Sequence, residues 1–125
     1  MAVKVFKNIK FDLDSKEFLI EKGNVGSYDY REIVSAEIVY EKGKTQNMEN
    51  PFQQCFRERD LQLCTWSSGF VLVGIKINFK DEKSVFAYIS EKGNQWQSLG
   101  FYDDVRNAQE IEKFLKIICN KNKKA

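Results

Sequence analysis

The chain has 125 residues, with 20 basic and 18 acidic side chains and a formal charge of +2, a balance too small and too evenly spread to gather nucleic acid. Its length suits one domain with one core. Ten Phe, five Tyr and two Trp beside a single Pro and seven Gly exclude a disordered or collagen-like chain.

At the start, Met1-Ala2-Val3-Lys4-Val5-Phe6-Lys7 places charges where a signal peptide needs an apolar core. No stretch approaches the ~20 apolar residues of a membrane span, so a cytoplasmic chain is expected. Ile9 to Asp12 and Glu17 to Ile20 predict a hairpin around Leu13-Asp14-Ser15-Lys16. Val25 to Arg31 predicts a loop or short strand. From Glu32 to Glu41 the residues alternate, and Val34, Ala36, Ile38 and Tyr40 are expected to face the core. The tripeptide Glu-Lys-Gly closes strand-like runs at 21–23, 41–43 and 91–93, where glycine supplies the positive φ that turns require.

From Lys42 to Ser68 the periodicity weakens around Asn47, Asn50 and Pro51, which predicts a long excursion regaining order at Leu61 to Trp66. Ser67-Ser68-Gly69 predicts a turn into the clearest strand, with Val71, Val73, Ile75, Ile77 and Phe79 on one face. Lys80 to Lys83 turns the chain into a strand over Ser84 to Ile89, and Gln95 to Phe101 predicts a short strand or ordered loop. Val105, Ala108, Ile111, Leu115 and Ile118, widened by Phe114 and Cys119, have the three- and four-residue spacing of a helix packed on a sheet. Asp103 or Asp104 is expected to cap its N-terminus, and Lys121 to Lys124 to form a solvated, frayed end.

Chemical signatures are sparse. No histidine is present, which removes the commonest general base and metal ligand. Asp12-Leu13-Asp14 begins like a calcium loop but lacks the glycine and distal acid that such a loop needs, so a polar turn is expected and no metal. Cys55, Cys64 and Cys119 contain no Cys-x-x-Cys pair and are expected to be reduced thiols. Gly23-Asn24-Val25-Gly26 reads as a plain turn. Phe52, Phe56, Arg57, Arg59 and Trp66 gather in the excursion with the composition of a binding hot spot, core packing being the alternative for the aromatics.

Phe11-Asp12, Phe18-Leu19-Ile20 and Tyr30-Arg31-Glu32-Ile33-Val34-Ser35-Ala36-Glu37-Ile38, followed by the closing helix, resemble bacterial pleckstrin-homology-like domains. The resemblance breaks off between Lys42 and Ser68. It implies a bent antiparallel sheet or partial barrel plugged by one helix. It also implies a protein-binding or scaffolding role. In the lipid-binding relatives lysines and arginines of the first hairpin loop hold phosphate, whereas here Asp12 and Asp14 face Lys16 alone and would repel it.

The expectation is therefore a single α+β domain over 1–125, with a less regular excursion at 42–68. It acts as a non-enzymatic module, with no catalytic residue or cofactor, that binds a protein partner or a second copy of itself through Phe52, Phe56, Arg57, Arg59 and Trp66. The alternatives are a peripheral membrane or anionic-ligand binder using Lys76, Lys80, Lys83 and the C-terminal lysines, and a small-ligand or enzyme site inside a cone-shaped sheet.

Overall fold

Alternation builds the first sheet. In the computed structural model, which describes residues 3–42, 45–46, 51–52, 70–95 and 98–124, β1 (Val3–Phe6), β2 (Ile9–Asp12), β3 (Glu17–Ile20) and β4 (Gly26–Asp29) form an antiparallel meander in that order. Ile9, Phe11, Phe18 and Ile20 point inward and are fully buried, while Lys10 and Leu19 between them point to solvent. The predicted hairpin is thus β2–β3. Its turn is held by Asp12, whose Oδ1 accepts from the Asp14 and Ser15 N–H groups at 3.0 and 3.2 Å. Those bonds, Ser15's foremost, hold the Asp12 carboxyl below its usual range. β1 was not expected as a strand; Val3 and Val5 lie exposed on its outer side.

A 3₁₀ turn over Tyr30–Glu32 leads into the second sheet, made of β5 (Ile33–Lys42), β6 (Phe70–Phe79), β7 (Ser84–Tyr88) and the two-residue β8 (Asn94–Gln95). β6 is central, with β5 along one edge and β7 and β8 following one another along the other. Val71, Val73, Ile75 and Ile77 share one fully buried face, as their spacing predicts. β5 departs from its simple alternation. Ile33 pairs with Phe79 and Ser35 with Asn78, so Val34 is an extra residue in a bulge. The bulge turns Ile33 inward with Ala36, Ile38 and Tyr40 and leaves Val34 45 % exposed, against the expected inward placement.

The second sheet is covered on both faces. Its inner face packs on the first sheet and on the closing helix, α1 (Leu99–Lys124), which lies over β5 and β6. Ala108, Ile111, Leu115, Ile118 and Cys119 form the buried stripe, as predicted. On the outer face Val39, Leu72 and Tyr88 form a smaller cluster with Phe52, the described aromatic of the excursion. The Phe52 ring lies against Gly74, where a Cβ would meet that ring and stand 2.6 Å from the Ala87 carbonyl oxygen. Phe52 itself has a φ of +55°, uncommon for a bulky side chain. Its burial opposes that strain.

The helix starts earlier than its apolar stripe suggests. Ser98 occupies the capping position, its Oγ accepting from the Phe101 N–H at 3.2 Å and its carbonyl from the Tyr102 N–H at 3.1 Å. Asp103 and Asp104 therefore lie inside α1 rather than capping it. Asp104 is buried, and its Oδ2 accepts from Ser90 Oγ at 2.6 Å and from Asn94 Nδ2 at 2.7 Å. Ser90 Oγ in turn accepts from the Val73 N–H at 2.8 Å, so one carboxylate ties the second turn of α1 to β6 and β8. At the other end the helix runs to Lys124, and Asn122 Nδ2 donates to the Tyr30 and Ile33 carbonyls, 3.0 Å each.

Candidate functional site

The two sheets meet along a seam between β4 and β7 that is closed at one end and open at the other. At the closed end residues 22–24 run beside β7 like a fragment of strand. The Asn24 N–H donates to the Phe86 carbonyl at 2.8 Å, the Tyr88 N–H to the Lys22 carbonyl at 2.9 Å, and the Phe86 N–H to Asn24 Oδ1 at 2.8 Å. Gly23 permits this approach. With φ at +116° it lies so close to β7 that a Cβ would stand 3.0 Å from Ala87 Cα and closer still to the Phe86 carbonyl oxygen. Asn8 adds a further link, its Nδ2 donating to the Tyr88 carbonyl at 2.9 Å. The segment read as a plain turn is thus also the clasp between the sheets.

From the clasp β4 and β7 diverge, and a cleft of about 400 Å³ opens between Tyr28 and Asp29 on one side and Phe79, Asp81, Lys83 and Val85 on the other, with Glu32 at its end. Its floor is apolar. Tyr28 and Phe79 stack at 5.8 Å with Phe18 beneath them at 5.4 and 6.2 Å. The Tyr28 hydroxyl donates to the Asn24 carbonyl at 2.8 Å, which anchors the floor to the clasp, and burial raises the Tyr28 pKa.

On both strands some backbone groups are also left outside their own sheets. The Tyr30 N–H donates to the Lys16 carbonyl, so in the β3–β4 ladder the bonded pairs are Phe18 with Tyr28 and Ile20 with Gly26, and Ser27 and Asp29 present their N–H and C=O groups away from β3. On β7, Phe86 and Tyr88 bond to the clasp, and the same two-residue period turns the backbone of Ser84 toward the seam.

The rim is acidic. Asp29 accepts a bidentate contact from Arg31, with Nη2 at 2.7 Å and Nε at 3.0 Å, and that bonding holds its carboxyl below the usual range. Asp81 lies 3.9 Å from Lys83 Nζ. With Glu32, the carboxylates lining the cleft outnumber Lys83, the one lining base among the described residues.

Of the residues expected to form a partner surface, Phe52 is 2 % exposed and packs against Phe86 and Tyr88 at 5.7 and 4.3 Å. It has the core placement given above as the alternative. Phe56, Arg57, Arg59 and Trp66 lie outside the described residues, as do Cys55 and Cys64. Cys119 is a free thiol, buried, with its pKa raised by that burial. Lys80 and Lys83 share their turn with Asp81 and Glu82, and Lys76 pairs across the ladder with Glu37, so these lysines do not form a field of one sign.

Among the described residues no group of acids and cysteines could hold a metal ion, every buried side-chain N or O has a hydrogen-bond partner, and no helix is long and apolar enough to cross a membrane. The cleft residues escaped sequence reading because they are close only in space. Tyr28-Asp29-Tyr30-Arg31-Glu32, dense in aromatics and charges, was the available signal.

No family model, curated protein or solved structure matches the chain.

Proposed function

We propose that this chain is a non-enzymatic binding module, cytoplasmic and of the pleckstrin-homology-like kind, whose contact surface for a protein partner is the open end of the β4–β7 seam. The observation that carries it is the splayed seam itself: two strand edges, an apolar floor and a charged rim gathered on a rigid pair of sheets. Such combinations suit recognition of a peptide segment. Acid–base chemistry is less well supported. A catalytic carboxyl needs a pKa near the working pH, and Arg31 moves Asp29 the other way. The anionic-surface alternative is disfavoured by the acids that accompany Lys76, Lys80 and Lys83.

Panning a random peptide library displayed on phage against the folded protein tests this, with a Glu32→Arg, Asp81→Arg variant as counter-selection. Both positions are exposed, so the variant should fold. Enriched sequences that bind the native protein and lose the variant support the module. Failure to enrich any sequence, or binders indifferent to the variant, removes the cleft as the contact surface.

Self-association has one observation in its favour: β1 is an edge strand whose Val3 and Val5 face solvent. A sedimentation series over protein concentration tests it, and a monomer throughout rejects it.

A further inference from the structure

Resting on the binding-module reading, we infer that the occupant of the seam is a basic peptide segment in extended conformation, which inserts between β4 and β7 as an added strand. The clasp shows how the gap is filled by chain. Residues 22–24 already pair with Phe86 and Tyr88 by backbone bonds, and beyond them the same edge of β7 continues to Ser84 while β4 turns Ser27 and Asp29 toward the gap. A segment entering there takes up the pairing where the clasp leaves it. On the β7 side its backbone meets Ser84, where that strand begins, and on the β4 side Ser27 and Asp29.

Strand geometry then sorts the occupant's side chains. Alternate residues point to opposite faces, so one set lies on Tyr28, Phe79 and Val85 and the other reaches the rim of Asp29, Glu32 and Asp81. The first set must be apolar. The second meets carboxylates, of which Asp29 is already engaged by Arg31 and Asp81 stands at the edge of Lys83's reach, leaving Glu32 and the outer oxygens for a cation. A lysine or arginine at alternate positions satisfies both demands, and an acidic segment would face repulsion. The cleft volume of about 400 Å³ suits a few residues rather than a folded partner, and falls in the usual range for ligand clefts.

The test uses four short synthetic peptides labelled for fluorescence anisotropy: acetyl-Lys-Val-Lys-Val-Lys-amide, its Glu-for-Lys counterpart, and two forms of the basic peptide with alternate backbone nitrogens methylated, one in each register. The basic peptide should bind, and more weakly as salt is raised. The acidic one should not bind, and methylation on the pairing edge should abolish binding. The Glu32→Gln, Asp81→Asn variant, which removes charge but keeps size, should bind the basic peptide roughly fivefold more weakly. Equal binding of the methylated peptide in both of its registers would overturn strand addition. Preference for the acidic peptide, or an unchanged affinity in the variant, would overturn the charge assignment. If the library instead yields only non-basic binders sensitive to the cleft reversal, the module stands and this inference falls. If neither library nor basic peptide binds, both fall.

Discussion

The two ends of the β4–β7 seam differ in what lies beside β7, residues 22–24 at the closed end and an apolar cleft at the open one. At the closed end glycine lets the chain come within bonding distance of β7, and Asn24 supplies both a backbone donor and a side-chain acceptor. At the open end Tyr28 and Asp29 line one side of the cleft and Val85 the other, over an apolar floor. The clasp is a structural device and the cleft is the contact surface we propose, and variants should separate the two.

The largest effect should come from removing the support common to both ends. Ile111→Ala or Leu115→Ala, at fully buried positions of α1, should lower stability by ~2–5 kcal/mol in chemical denaturation. An unchanged midpoint would show that α1 is not docked. At the closed end alone, Gly23→Ala should cost more than ~2 kcal/mol, because it combines an unfavourable φ with a collision against backbone that cannot swing aside. A variant as stable as the parent would contradict the clasp.

How much of this was legible in the sequence depends on the range of the interaction. The β2–β3 hairpin, the inward face of β6 and the stripe of α1 are local periodicities, and they hold residue for residue. Val34 failed because a bulge is set by the partner strand, not by the alternation of β5. Asp104 failed as a cap because its burial depends on Ser90 and Asn94, which folding alone brings to it. The cleft is the extreme case. Tyr28 and Val85 carry no shared pattern in the chain, and the stacking of Tyr28 and Phe18 on Phe79 of β6 is visible only once the sheets are stacked.

A smaller effect is expected at Asn24. Asn24→Ala removes the acceptor of the Phe86 N–H and should cost ~1–2 kcal/mol, read as a lower melting temperature with the fold intact. At the open end, Glu32→Gln and Asp81→Asn are exposed changes and should alter stability by no more than ~0.5 kcal/mol while weakening capture of a basic segment. A large loss of stability there would assign these carboxylates to the fold.

The smallest effect concerns acid. The Asp12 and Asp29 carboxyls are held below their ordinary values by Ser15 and by Arg31, so each contributes stability that is present above the ordinary aspartate range and lost as the pH falls through the folded value. Denaturation midpoints should decline on acidification below about pH 4, and the decline should shrink in an Asp29→Asn variant. A parent and variant with parallel curves would remove Asp29 from the account.

The most direct measurement is residue-resolved amide hydrogen exchange along the seam, in the free protein and with the basic peptide present. The Asn24, Phe86 and Tyr88 amides, bonded within the clasp, should be protected throughout. Those of Ser27, Asp29 and Ser84 should exchange readily in the free protein and become protected when the peptide is added. Protection of Ser27, Asp29 and Ser84 before any peptide is present, or no change on its addition at saturating binding, would contradict a seam left open for a strand.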